Sequence, residues 1–120
     1  MTDLNAIARN YVDAWNEADA ARRTGLIEAA FTQDVSYCDP IMQGDGHGGM
    51  TQLIEGVQQR FPGFRFTLCG TPDGFGDHIR FSWNLGPEGV DSVIEGTDIG
   101  LIENGRLKSI IGFLDKVPAQ

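Results

Sequence analysis

Three polar side chains stand where the residue pattern predicts inward-facing positions. Tyr11 lies in the apolar stripe of a predicted helix. Asp39 shares a predicted strand face with Tyr37, and Asp98 shares another with Ile94. A buried carboxylate is costly unless it is paired or protonated, and desolvation raises its pKa so that a neutral acid can donate a hydrogen bond. These three side chains are therefore candidates for acid–base chemistry.

Each of the three also has a purely structural interpretation. Asp39 precedes Pro40, and both residue types favour turns. Tyr11 can be a core tyrosine with a satisfied hydroxyl group. Asp98 can bind backbone amides beside a bulge at Gly96. The pattern alone leaves these alternatives open.

Length and charge exclude several classes of function. The chain has 120 residues, which predicts one domain over residues 1–120. Its formal net charge is −8, which argues against binding to nucleic acid or to an anionic membrane surface. We therefore expect no nucleic-acid partner and no membrane partner.

The two cysteines suit a reducing compartment. Cys38 and Cys69 lie in apolar, strand-like runs and form no CxxC pair, so we expect two buried free thiols and a cytoplasmic, soluble protein. No segment resembles a signal peptide or a membrane span. The two histidines, His47 and His78, lack the spacing of metal ligands, so we expect no metal site.

Helical periodicity is confined to the first half of the chain. Apolar residues recur at helical spacing from Leu4 to Trp15, after a capping Asp3 or Thr2. A second helix is predicted from about Asp19 to Phe31. A short strand follows at Val35–Asp39, then a glycine-rich loop at residues 44–49 and a third helix that ends before Pro62.

Alternating periodicity fills the second half. Four strands are predicted, with turns at residues 71–74 and 86–89 and a type I′ hairpin at Asn104-Gly105. The third of these strands is predicted over Val90–Glu103 and the last from Arg106 to about Asp115. This order predicts an α+β fold in which a cone-shaped, curved, mixed or antiparallel sheet wraps around three helices and encloses a pocket.

The last two strands are apolar on both faces. In the last strand, Leu107, Ile111 and Phe113 are expected to oppose Ile110 and Leu114. One face can fill the core, and the other needs cover. We therefore expect a homodimer that pairs through the outer face of the sheet.

The order of elements resembles the nuclear-transport-factor-2-like superfamily over nearly the whole chain. Within it, the polar positions resemble those of ketosteroid (steroid delta) isomerase. The resemblance rests on NYVDAWNEAD at residues 10–19, CDPIMQGDGHGGM at 38–50 and GTDIGLIENGRL at 96–107. SnoaL-like polyketide cyclases share the fold, and the pattern matches them about equally well.

The resemblance implies a reaction and its residues. Asp39 falls at the position of the general base, Tyr11 at that of the oxyanion-hole tyrosine, and Asp98 at that of the protonated aspartic acid. Asp39 would remove a proton next to a ketone, while Tyr11 and neutral Asp98 stabilise the enolate, without a metal or cofactor. The expected ligand is an apolar small molecule, and the expected substrate-binding residues are Trp15, Tyr37, Trp83 and Phe113.

Two alternatives remain at this stage. One is a module of the same fold that binds an apolar ligand, or another protein chain, without catalysis. The other is an epoxide hydrolase of the limonene type, which uses an Asp-Arg-Asp arrangement. Gly96 stands two residues before Asp98 where that arrangement needs arginine, and this counts against the hydrolase.

Overall fold

A computed structural model describes residues 3–89 and 92–118 of the chain. Within these residues the chain forms three helices and six strands, as the α+β prediction requires, with one strand more than expected. The helices are α1 (Leu4–Asn16), α2 (Ala20–Ala30) and α3 (Gly46–Arg60). The strands are β1 (Phe31–Cys38), β2 (Gln43–Asp45), β3 (Phe64–Phe75), β4 (His78–Pro87), β5 (Ile94–Glu103) and β6 (Arg106–Lys116).

All six strands join one mixed sheet. Their spatial order is β2-β1-β6-β5-β4-β3, and the sheet does not close on itself. Strands β3 to β6 form the expected antiparallel meander, whereas β1 runs parallel to β6. The end of β1 therefore lies beside the middle of β6, with Cys38 opposite Ile111. This parallel pairing brings the residue after β1, Asp39, next to the meander.

The first two helices begin at aspartate caps. The side chain of Asp3 accepts a hydrogen bond from the backbone amide of Ala6, so it is the cap of α1, and Thr2 lies outside the described residues. Asp19 caps α2 in the same way through the amide of Arg22. The predicted end of the second helix was one residue too long, because Phe31 is the first residue of β1.

The glycine-rich segment at residues 44–49 was predicted to be a loop, and this prediction is wrong. Residues 43–45 form β2, and α3 begins at Gly46. Glycines are needed here because β2 and α3 touch: a Cβ atom on Gly44 would lie 3.0 Å from the Leu53 side chain and 3.3 Å from the Gly49 carbonyl oxygen. The glycines therefore allow close packing between a strand and a helix.

The predicted turn at residues 71–74 is also wrong. β3 continues to Phe75, and the chain turns at residues 76–77 instead. The pairing of β3 with β4 shifts between Cys69 and Asp73, which marks an irregularity inside the strand. Turn-forming residues at 71–74 thus accompany a bulge rather than a reversal of the chain.

Strand β5 is shorter than predicted at its start. It begins at Ile94, and Val90 and Asp91 lie outside the described residues. At its other end, Asn104 and Gly105 have φ angles of 53° and 79°, the two positive values that a type I′ turn requires. This hairpin prediction is confirmed.

The facing of β6 differs from the prediction at one residue. Leu107 is buried together with Ile110, although simple alternation had put it on the face of Ile111 and Phe113, opposite Ile110. The register of β5 with β6 shifts between Leu101 and Ile102, and this irregularity lets Leu107 turn inward.

The cysteine prediction was wrong about burial. Cys38 and Cys69 are free, as expected, but both are exposed because each points away from the core side of its strand. In the described part of the chain, no helix is long and apolar enough to cross a membrane.

Candidate active site

A cavity of about 630 Å³ lies between two helices, α1 and α3, and the inner face of the sheet. Its volume is within the range typical of small-molecule sites. Five residues predicted for catalysis or substrate binding line it: Tyr11, Trp15, Tyr37, Asp39 and Trp83.

Asp39 makes the hydrogen bonds of a turn and also lines the cavity, so the two interpretations that the sequence left open are compatible. Its Oδ1 accepts hydrogen bonds from the backbone amides of Ile41 (2.8 Å) and Met42 (2.9 Å), which is turn chemistry. Its Oδ2 accepts a hydrogen bond of 2.7 Å from the hydroxyl of Tyr37. Because the carboxylate also lines the cavity, the turn fixes its direction toward any molecule bound there.

Tyr11 joins the cavity to a buried acid. Its hydroxyl lies 2.6 Å from Asp98 Oδ2 and is the donor of this hydrogen bond when Asp98 is ionised. The Tyr11 ring is held by edge contacts with Phe31 and Phe81, at centroid distances of 5.8 and 5.0 Å. The hydroxyl is therefore held in place by aromatic packing on α1, β1 and β4.

Asp98 faces inward, as predicted, but it does not line the cavity. It is completely buried, and it is hydrogen-bonded to Tyr11, which does line the cavity. Its Oδ1 has no hydrogen-bond partner among residues 3–89 and 92–118. Direct contact between Asp98 and a bound molecule is thus not provided by this geometry, and Tyr11 is the cavity-lining residue to which Asp98 is hydrogen-bonded.

Gly112 on β6 lies beside both acidic side chains, Asp39 and Asp98. A Cβ atom on Gly112 would lie 2.8 Å from Asp98 Oδ1, 3.3 Å from Asp39 Cβ and 3.6 Å from Tyr37 Oη. Asp98 is paired with Gly112 across the strands, and Asp39 follows the parallel strand β1 on the other side. The missing side chain therefore leaves room for both tyrosine–aspartate pairs to approach each other.

Burial is the largest influence on the pKa of Asp98. The pKa of Asp98 is raised from 3.8 to about 6, chiefly because the carboxyl group is buried, and the negative charges of Asp39 and Asp115 contribute to this rise. Two donors lower this pKa: the hydroxyl of Tyr11 and, less strongly, the indole N–H of Trp83. The hydroxyl is the stronger donor because it makes a hydrogen bond of 2.6 Å, whereas Trp83 Nε1 makes none of good geometry.

The two tyrosine hydroxyls titrate far above neutral pH. Burial, followed by the charge of Asp98, raises the pKa of Tyr11 and of Tyr37. Each hydroxyl also influences the pKa of the other. Both tyrosines therefore stay protonated and can serve as hydrogen-bond donors.

One predicted substrate-binding residue is not brought to the cavity. Phe113 is 53% exposed on the opposite face of the sheet, because Gly112 and Leu114 take the inward positions on either side of it. A single alternation count along β6 from Ile110 would have placed Phe113 outside.

Sequence reasoning missed two further residues. Gly112 was passed over because a glycine inside an apolar strand carries no chemistry of its own. Arg60, at the end of α3, lines the cavity, and its helical spacing from Gln52 and Gly56 was a usable signal. Among the described residues, no cluster of three or more His, Cys, Asp or Glu side chains could hold a metal ion.

Comparison with known proteins points to one family. The family model of the SnoaL-like domain matches residues 8–110. The solved structure of a "putative isomerase of the SnoaL-like family" from Agrobacterium tumefaciens is 46% identical, with a TM-score of 0.89, and the match covers 96% of this chain and 99% of that one. A search of curated proteins gave no match.

More distant structures share the fold. A "putative ketosteroid isomerase" from Kribbella flavida has 20% identity and a TM-score of 0.70, covering 98% of this chain and 81% of that one. A "putative polyketide cyclase" from Sinorhizobium meliloti has 15% identity and a TM-score of 0.70, covering 89% and 93%. The expected nuclear-transport-factor-2-like α+β fold is confirmed.

Proposed function

The chain belongs to the SnoaL-like domain family, and from this premise we propose that it is a cofactor-independent enzyme of carbon-acid chemistry, an isomerase or cyclase acting on an apolar ketone. The observation that carries the proposal is the position of Asp39 and Tyr11 in one largely apolar cavity. A carboxylate and a phenol so placed can act on the two ends of an enolising ketone.

Asp39 is the proposed general base. Its carboxylate is oriented by two backbone amides and by Tyr37, so it cannot rotate freely away from the cavity. It takes the proton from the carbon next to the ketone and returns it to another carbon in an isomerisation. In an aldol cyclisation the enolate carbon instead attacks a second carbonyl carbon of the same substrate, the C=O π bond of that carbonyl breaks, and the proton held by Asp39 goes to the resulting alkoxide oxygen.

Tyr11 is the proposed donor to the enolate oxygen. Asp98 contacts the Tyr11 hydroxyl. When Asp98 is protonated, it donates a hydrogen bond to Tyr11 Oη, and the phenol proton is then available to the ligand. Asp98 is thus a positioning residue in this proposal, because it does not reach the cavity.

Proton exchange with solvent tests the proposal before the natural substrate is known. Apolar cyclic ketones are incubated with the protein in D₂O, and loss of the α-proton signals is followed by NMR. Asp39→Asn should slow exchange at least about 100-fold. Its amide oxygen can still accept from Ile41 and Met42, so the turn should persist.

Asp13→Asn is the matched control. It makes the same chemical change at an exposed position of α1 and should leave exchange unaltered. Wild-type exchange by the Asp39 variant would show that Asp39 is not the base. Tight ketone binding without any exchange would favour the alternative of a non-catalytic binding module.

The hydrolase alternative lacks its arginine in this geometry. Position 96 is a glycine packed against the Trp83 ring, where a side chain would collide with the indole. No Lys or Arg within the described ranges forms an ion pair with Asp98. Incorporation of labelled water into an epoxide would nevertheless overturn this ranking.

We also propose that the protein forms a homodimer through the outer face of the sheet. Ile99, Ile111 and Phe113 are 40%, 56% and 53% exposed there. Ile99 and Ile111 are cross-strand neighbours, and Phe113 lies two residues further along β6, so the three form one apolar patch. A second copy of the sheet can cover such a patch.

A further inference from the structure

Arg60 is the one basic side chain among the described residues that line the cavity. It lies in the last turn of α3, and its guanidinium carbon is 5.7 Å from the centroid of the Phe61 ring, which also lines the cavity. A cation–π contact of this kind holds the guanidinium over an apolar wall.

Among the described residues, the Arg60 guanidinium donates no side-chain hydrogen bond, and the side chain is exposed. No carboxylate lies within ion-pair distance of it in the described part of the chain, whereas Arg23 pairs with Glu55 and Arg80 pairs with Asp73. The guanidinium therefore keeps its hydrogen-bond donors for a bound molecule, and guanidinium geometry matches a carboxylate in particular.

The overall charge makes this cation distinctive. At a net charge of −8 the protein repels anions at long range. An acidic ligand therefore gains nothing from general steering and needs a local cation. Asp39, the one Asp or Glu side chain among the described lining residues, adds to the repulsion.

Arg60 also lies well away from the proposed chemistry. Leu53 packs on Gly44 of β2, beside the strand that leads to Asp39. Arg60 follows Leu53 by seven residues, or about 10 Å along the helix axis. A ligand that reaches both places needs an apolar body with a ketone at one end and an acidic group at the other.

We propose that Arg60 anchors a carboxylate of the substrate, so that the cavity takes apolar keto acids in preference to neutral ketones. The ketone part of this inference rests on the proposed function, whereas the carboxylate part rests on Arg60 alone.

A matched pair of ligands tests the inference. The acid is 6-(2-naphthyl)-6-oxohexanoate, and the control is its primary amide, which has the same shape without the charge. Dissociation constants come from calorimetry. Both tryptophans of the chain, Trp15 and Trp83, line the cavity, so quenching of their fluorescence reports that the ligand occupies it.

The wild-type protein should bind the acid about fivefold to tenfold more tightly than the amide at low salt, and less selectively at high salt. Arg60→Gln should remove most of this preference, and Arg60→Lys should keep part of it. Arg22→Gln makes the same change of charge at an exposed position on α2 and should preserve the preference.

Two binding results would overturn the inference: equal binding of acid and amide by the wild type, or an unchanged preference in Arg60→Gln. It would also be overturned if neither ligand quenched the tryptophan fluorescence. Deuterium exchange next to the ketone of the amide tests the catalytic proposal separately. Exchange without acid preference refutes only the role of Arg60, and acid preference without exchange refutes only the chemistry.

Discussion

At the scale of single residues, the hydrogen bond between Tyr11 and Asp98 can run in two directions. With Asp98 ionised, Tyr11 donates to it, and the phenol proton is engaged. With Asp98 protonated, the acid can donate to Tyr11 Oη, and the phenol proton is free for a ligand. The protonation state of a buried acid therefore decides what the cavity offers.

This reversal predicts a pH dependence of activity. Because the pKa of Asp98 is about 6, α-proton exchange should fall as the pH rises through that value. Asp98→Asn should lose the fall, since its amide can donate to Tyr11 at any pH. A fall of equal size in the variant would assign the titration to another group. The groups that influence Asp98 are Tyr11 on α1, Asp39 after β1, Trp83 on β4 and Asp115 on β6; Tyr37 on β1 lies beside them.

The same variant should change the pH dependence of stability. The pKa of Asp98 is higher in the folded chain, about 6, than its ordinary value of 3.8, so the folded state binds the proton more tightly. This contribution is fully present below about pH 4 and is lost as the pH rises through about 6. Its size is about 3 kcal/mol in the free energy of unfolding. Urea unfolding between pH 4 and 7 should show a smaller loss of stability for Asp98→Asn than for the wild type.

Gly112 gives a steric test of the paired acids. Gly112→Ala would place a methyl group 2.8 Å from Asp98 Oδ1, so the carboxylate must move. We expect a loss of about 1–3 kcal/mol in the free energy of unfolding and at least about tenfold slower exchange. Gly25→Ala is the control, because nothing lies within 4 Å of that position in α2, and it should stabilise the protein slightly. Full activity in the Gly112 variant would contradict the tight approach of the two pairs.

At the scale of elements, the helix starts differ in how they are capped. Asp19 accepts the amide of Arg22 at 2.9 Å, whereas Asp45, before α3, makes no such bond with its side chain. Asp19→Ala should therefore lower the free energy of unfolding by about 1 kcal/mol. Asp45→Ala should cost less than half of that in the same denaturant titration. Equal costs would mean that charge at the helix start, rather than the cap bond, is what counts.

The strand β1 is the element that assembles the site. Its parallel pairing with β6 carries Tyr37 and Asp39 to Gly112. α1 brings Tyr11 from the other side, and its end is tied to β3 by two hydrogen bonds of 2.8 Å between the Asn16 side chain and the Phe66 backbone. The two halves of the site thus come from opposite layers of the fold.

At the scale of the whole molecule, the outer sheet face predicts the state of assembly. Ile111→Glu should give a monomer in sedimentation velocity where the wild type is a dimer, because a charge at the patch cannot be buried without a partner. Ala21→Glu is the control, because it adds the same charge at an exposed position in the first turn of α2, in the helix layer on the other side of the sheet from the patch. A monomeric wild type would refute the dimer proposal directly.

Much of the fold could be predicted from local patterns. The aspartate cap and apolar stripe of α1, the alternation in β4 and the Asn104-Gly105 turn are all determined within a few residues of sequence. The errors came where a local signal was overridden by a neighbour: glycines at residues 44–49 serve contact between β2 and α3, and turn residues at 71–74 sit inside β3.

Inward faces could be assigned to Tyr11, Asp39 and Asp98 from local patterns, because the periods of helices and strands fix which side chains share a face. Two features are visible in the folded chain alone: Asp98 is hydrogen-bonded to Tyr11 without lining the cavity, and both acids pack against Gly112. Those facts depend on pairing between residues far apart in the chain, and no local period carries information about such contacts.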